Sequence, residues 1–223
     1  MANQLHPSQR NMRAAFRASR DGAFNCDPPG SLEAIVAGVD TCRRCELWRD
    51  ATQGVAGEGP ARARMMIVGE QPGDQEDLAG RPFVGPAGQL LDKALVKAGV
   101  PRDQLFVTNA VKHFKHEAVD KRRIHKTPKT GEVVACRWWL EAERRIVRPR
   151  VIVALGGTAA LAVFNKAMKV GDARGRAIAL PDRAQGVVTY HPSYLLRLPD
   201  EESKRAAWRA FVGDLGFAWG LAA

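Results

Sequence analysis

Met65-Met66-Ile67-Val68-Gly69-Glu70-Gln71-Pro72-Gly73 is an unbroken apolar run that ends in glycine and polar residues. A half-exposed strand would alternate; an unbroken run predicts a strand buried on both faces. Leu105–Asn109, Val151–Leu155 and Val187–Tyr190 have the same form. Helical patterns separate them. Leu90, Leu91, Leu95 and Val96 recur at helical spacing, as do Val133, Trp138, Leu140 and Ile146. Thr158–Val163 follows a Gly-Gly turn, and the stretch from Glu201 to about Leu215 carries Trp208, Phe211 and Leu215 on one face. Alternating strand and helix predict an α/β fold: a three-layer α/β/α sandwich around a central, mostly parallel four-stranded sheet.

Ligands in such sheets bind beyond the carboxyl ends of the strands. The informative residues fall there: Glu70 and Gln71 after the first strand, Asn109 at the end of the second, His191 after the last. The first strand opens into two glycine-rich loops, Gly69–Gly73 and Gly80–Gly88. Their glycines permit tight turns and close backbone approach, and Pro86 suits the first turn of a helix. Phe83, in the second loop, is either a stacking face for a ring or a plug in the core.

The 223 residues suffice for one domain with extensions. Residues 1–30 read as a flexible basic arm and 31–223 as the domain, divided by Pro28, Pro29 and Gly30, with Ser31 placed to cap a helix. The sequence has no apolar run of bilayer length and no signal-peptide pattern, which predicts a soluble, cytoplasmic chain with no membrane partner. One basic domain predicts a monomer. The net charge of +10 favours a polyanionic partner. Of the four cysteines, Cys42 and Cys45 form a Cys-x-x-Cys pair, which in a cytosolic chain points to a metal or redox site; Cys136 and Cys26 are the others.

Gly69–Gly73, Arg81–Gly88, Thr108-Asn109-Ala110-Val111-Lys112 and His191-Pro192-Ser193 occur in the order and spacing of the family-4 uracil-DNA glycosylases, which the chain resembles from about Thr41 to Gly216. The resemblance implies a pocket for a flipped uracil lined by Gly69, Gln71, Phe83, Asn109 and His191. Breaking the N-glycosidic bond leaves positive charge on the sugar and negative charge on the base, and a catalyst must stabilise both. Glu70 is implied for the sugar and His191 for uracil O2. Asn109 reads the base edge with an amide that both donates and accepts, and Phe83 stacks. Ser193, Leu195, Leu196 and Arg197 are implied on DNA, with Leu195 or Leu196 as the wedge that fills the vacated stack.

Enzymes of this group hold a [4Fe–4S] cluster on four cysteines. This chain has His113 where the third would stand, so the implied ligands are Cys42, Cys45, His113 and Cys136. Three cysteines and one histidine also make a structural zinc set, and spacing alone leaves both metals open. The basic run Lys121-Arg122-Arg123-Ile124-His125-Lys126 reads as a phosphate-binding strip through Lys121, Arg122 and Arg123. It lies in an insertion that resembles the loop of the UdgX-type branch, which shares the His113 replacement. There the loop histidine attacks the sugar C1′ once uracil leaves. The resemblance thus implies His125 as a nucleophile, covalent attachment to DNA, and uracil-containing DNA, single-stranded included, as partner. A turning-over glycosylase and a non-catalytic uracil or single-strand sensor are the alternatives.

Overall fold

The computed structural model describes residues 27–120 and 122–223. The expected arm, with Cys26, falls almost wholly outside them, as does Lys121. Residues Ser31 to Ala223 form one unit. Ser31 starts it: its hydroxyl accepts the Ala34 N–H at 3.2 Å, satisfying a donor that the first turn of α1 (Leu32–Asp40) leaves open. Then come β1 (Met65–Gly69), α2 (Asp74–Ala79), α3 (Pro86–Ala98), β2 (Leu105–Asn109), β3 (His116–Val119), β4 (Arg122–His125) and α4 (Thr130–Val147). After these follow β5 (Val151–Leu155), α5 (Gly156–Phe164), α6 (Val170–Ala173), β6 (Ala177–Ala179), β7 (Gln185–Thr189), α7 (Pro192–Arg197) and α8 (Glu201–Ala222).

The central sheet has the order β2-β1-β5-β7-β6. Its first four strands are parallel, and β6 pairs antiparallel with β7. It therefore has five strands where the sequence predicted four. The fifth is a three-residue edge strand, too short to leave a pattern. Successive strand residues face opposite cores, as a two-residue period requires. Met66, Val68, Phe106, Ile152, Ala154 and Val188 join the core beneath α1, α4 and α5, around Val39, Trp139 and Ala160. Met65, Ile67, Val107, Val153, Leu155 and Val187 join the core beneath α3 and α8, around Leu91, Leu95, Phe211 and Leu215. These two cores on one sheet are the three layers.

Details of the helix reading change. Val96 is 81 % exposed, one position off the buried stripe of α3. On α4 the fully buried indole is Trp139, with Trp138 packed at its edge. Gly156 and Gly157 lie inside α5, and α8 runs on to Ala222. The basic run is no irregular loop: β3 and β4 pair antiparallel, with His116 opposite His125. Among the described residues no helix is long and apolar enough to cross a membrane.

Candidate active site at the carboxyl end of the sheet

The ladder sets Gly69 beside Asn109 at the ends of β1 and β2. A side chain at position 69 would collide with Asn109 Oδ1 and Phe83 Cζ, so glycine is what lets amide and ring meet over one strand end. Phe83 is buried and holds φ +58°, a left-handed conformation that disfavours a bulky residue by about 1–2 kcal/mol. Its surroundings fix it there. Gly88 packs so tightly under the Phe83 carbonyl that no Cβ fits. The buried Glu76 carboxylate accepts the Gly73 N–H at 3.1 Å and the Gly85 N–H at 2.8 Å, tying both glycine loops together.

His191 caps α7. Its Nδ1 accepts the Ser193 N–H at 3.2 Å and lies 2.8 Å from the Ser193 hydroxyl. Accepting at Nδ1 assigns the ring proton to Nε2. Burial, reinforced by the positive forms of His125 and Arg197, pushes its pKa down to about 4, so the ring is a neutral donor at neutral pH. Ser193 is therefore an orienting partner of His191. Leu195 is 5 % exposed and part of the core, whereas Leu196 is 51 % exposed. Arg197 is exposed.

The hairpin β3–β4 carries His125 to this crevice. His125 Nε2 lies 3.4 Å from Glu70 Oε1, while Glu70 Oε2 accepts the Thr158 hydroxyl at 2.6 Å. Burial lowers the His125 pKa; Glu70 opposes that shift and Arg197 adds to it. The Gln71 side-chain amide, expected at uracil, bonds to the hairpin. Nε2 donates to the Lys115 and Lys126 carbonyls at 3.0 and 3.2 Å, and Oε1 accepts the Lys115 N–H at 3.1 Å. The guanidinium of Arg123, a residue expected at DNA, is engaged within the protein. Nε meets Asp74 at 2.6 Å, and Nη1 meets the buried Asp77 at 2.5 Å and Thr52 at 3.0 Å. It also lies 5.5 Å from the Phe114 ring centroid. Phe114 in turn stacks on His116 at 4.9 Å and tilts against His125 at 6.2 Å. Arg122 is exposed on β4. Sequence reasoning missed Thr158, Asp74, Asp77 and Phe114, all of which meet the site only through tertiary contact.

Behind Asn109 lies a fully buried ion pair that the sequence also hid. Lys112 Nζ donates to Glu143 at 2.8 Å, to the Thr108 hydroxyl at 2.6 Å and to the Asn109 carbonyl at 2.9 Å. The Lys112 N–H donates to Cys136 Sγ at 3.2 Å, and the Trp139 indole N–H to Cys42 Sγ at 3.2 Å. Burial pushes the Cys136 thiol up to about 12, against the pull of Lys112. Cys45 is raised mainly by burial, with the charge of Cys42 adding to the shift, and the charges of Cys42 and Cys45 add to that of Cys136. Three neighbouring thiols, two of them with an N–H donor aimed at sulfur, fit an iron–sulfur centre, which takes thiolates and is tuned by such hydrogen bonds. His113 is buried and held neutral, its pKa lowered to about 4 by burial first and Arg43 second; a neutral imidazole is the ligating form. Among the described residues no three histidine, cysteine, aspartate or glutamate side chains are grouped as a metal ion would need.

Comparison with known proteins agrees with this geometry. The family described as the uracil DNA glycosylase superfamily matches residues 56–212. A type-4 uracil-DNA glycosylase of Thermotoga maritima is 38% identical over 175 residues, covering 78% of this chain and 88% of the relative. A type-4 enzyme of Pyrobaculum aerophilum is 41% identical over 177 residues, covering 75% and 86%. A type-5 uracil-DNA glycosylase of the same organism is 34% identical over 191 residues, covering 77% and 79%. The match spans both sheet-end loops, the hairpin and the His191 turn, and the chain belongs to the uracil-DNA glycosylase superfamily.

Proposed function

We propose that the chain excises uracil from DNA and that His125 then captures the sugar. The observation that carries the second half is the approach of His125 Nε2 to Glu70 Oε1 at 3.4 Å, on a hairpin held from both ends by Gln71. With the base flipped, Phe83 stacks under the ring, Asn109 pairs with its edge and His191 Nε2–H donates to O2. The C1′–N1 bond breaks and its electron pair leaves with uracil, whose developing anion His191 stabilises. Glu70 stabilises the positive sugar. The lone pair of neutral His125 then bonds to C1′, which leaves an imidazolium beside Glu70. Loss of its remaining N–H proton to solvent, and protonation of the released uracil, balance the reaction. Covalent capture is the chemistry of the UdgX-type branch.

Cys42, Cys45, Cys136 and His113 would hold the iron–sulfur cluster, which supplies a structural tie between the loop after α1, the end of β2 and α4. The exposed Leu196 fills the vacated stack, Arg197 and Arg122 meet phosphates, and single-stranded DNA is accepted.

A second reading has its own support: relatives at 38% and 41% identity are type-4 uracil-DNA glycosylases. In it water takes the place of His125 at C1′ and the product is a free abasic site. Incubation with a labelled uracil oligonucleotide, followed by a denaturing gel, separates the two. A heat-stable slow band with uracil and not thymine supports capture. Strand breakage after alkali with no such band supports water. Neither signal overturns both.

A further inference from the structure

The loop that carries Cys42 and Cys45 also carries a group that excision does not use. Arg43 stacks on Trp48 with its guanidinium carbon 4.0 Å from the ring centroid, and Arg49 lies 5.6 Å from the same ring. Both arginines are exposed and Trp48 is half-buried. One Arg43 nitrogen donates to the Cys42 carbonyl at 2.8 Å, which leaves its other donors outward. Arg49 pairs with Glu46 at 2.5 Å, with 62 % and 75 % of the two side chains exposed, and such a pair is worth little in water. A guanidinium stacked on an indole keeps its in-plane N–H fork free, and the fork matches a phosphate.

The position of this group is as telling as its chemistry. Three residues beyond Arg49, the Thr52 N–H donates to the Asp77 carboxylate and its hydroxyl accepts from Arg123, at the foot of the His125 hairpin. At the other end, the charge of Arg43 reaches His113, just past the end of β2 with its Asn109. The strip thus adjoins the foot of the hairpin at one end and the segment that follows β2 at the other. Cations interleaved with an aromatic ring are the features with which proteins track single strands without reading sequence.

We propose that Arg43 and Arg49, pre-oriented by Trp48, hold phosphates of the strand flanking the flipped nucleotide. This rests on the excision reading. The rival role is that of an internal staple, in which stacking only steadies the cysteine loop.

Affinity for a fluorescent, uracil-free oligothymidylate of about 20 nucleotides, longer than a site of ~4–16, is measured across a salt series. Each phosphate contact on a single strand contributes about −0.7 to the slope of log affinity against log salt, or about fivefold in affinity near 0.1 M. Arg43→Gln with Arg49→Gln should flatten the slope by about 1.4. Arg49→Gln alone, which spares the neighbour of Cys42, should flatten it by about 0.7. Uracil release from an oligonucleotide of roughly five nucleotides, too short to reach the strip, should be unchanged. An unchanged slope in both variants overturns the proposal in favour of the staple, and so does a parallel loss of release from the short substrate. Failure of the wild-type chain to release uracil overturns the excision reading instead, and the uracil-free series still decides the strip.

Discussion

The two halves of the crevice are built on different physics. The half that would hold the base grows out of the core. Gly69 and Asn109 end fully buried parallel strands, Phe83 and Asn109 close over Gly69, and the Lys112–Glu143 pair holds the Asn109 carbonyl from behind. The half that brings His125 is a short polar hairpin with mostly exposed strands. Specific bonds fasten it: the Gln71 clamp, the Arg123 pairs with Asp74 and Asp77, and the Phe114 ring beneath. A core resists single substitutions collectively, whereas a hairpin held by a few bonds yields when one is cut. Base recognition and sugar capture should therefore come apart under mutation.

The largest separation is expected from His125→Ser. It should abolish the covalent product yet leave uracil release, because serine leaves room for water at C1′; a gel read before and after alkali checks both. Arg123→Gln comes next. Removing one partner of a buried ion pair costs about 3–5 kcal/mol, and less where one partner is partly exposed. Crosslinking should fall on the order of 100-fold and uracil release by much less, as time courses of the two products would reveal. Gln71→Ala deletes three hydrogen bonds, each with a net value of about 1 kcal/mol. Since the clamp acts jointly with Arg123, crosslinking should fall on the order of 10-fold with release nearly intact. Equal losses of both activities in either variant would contradict the separation.

The smallest effect is that of pH. Burial lowers the His125 pKa from the ordinary imidazole range, so the nucleophile is already neutral at pH 7. Crosslinking should be nearly flat between about pH 8 and 7 and decline only below about 6.5. Stability follows His191 in the same direction. Its folded pKa is about 4, below that of the unfolded chain, so between about 6.5 and 4 the unfolded state binds the extra proton. The stability present above 6.5 is lost as pH falls through that window, and His191→Gln should flatten thermal midpoints across it.

Residues whose roles follow from local pattern were legible before any fold. The apolar runs located the strands, and a strand end is a position along the chain; this is how Glu70, Asn109 and His191 could be singled out. Partners far apart in sequence were not. Arg123 gives no local sign of its pairs with Asp74 and Asp77. Gln71 gives none of its bonds to the hairpin, and Lys112 and Glu143 none of their pairing. The choice of Leu196 over Leu195 depends on the phase of a helix only six residues long, which no periodicity resolves. The edge strand β6 escaped for the same reason.

The most direct test is peptide mass mapping of the wild-type chain after incubation with a uracil-containing oligonucleotide, nuclease trimming and proteolysis. The expected result is a deoxyribose adduct on the peptide that contains His125, dependent on uracil and absent from His125→Ser. An unmodified His125 peptide alongside stoichiometric release of uracil would contradict covalent capture and assign the attack on C1′ to water.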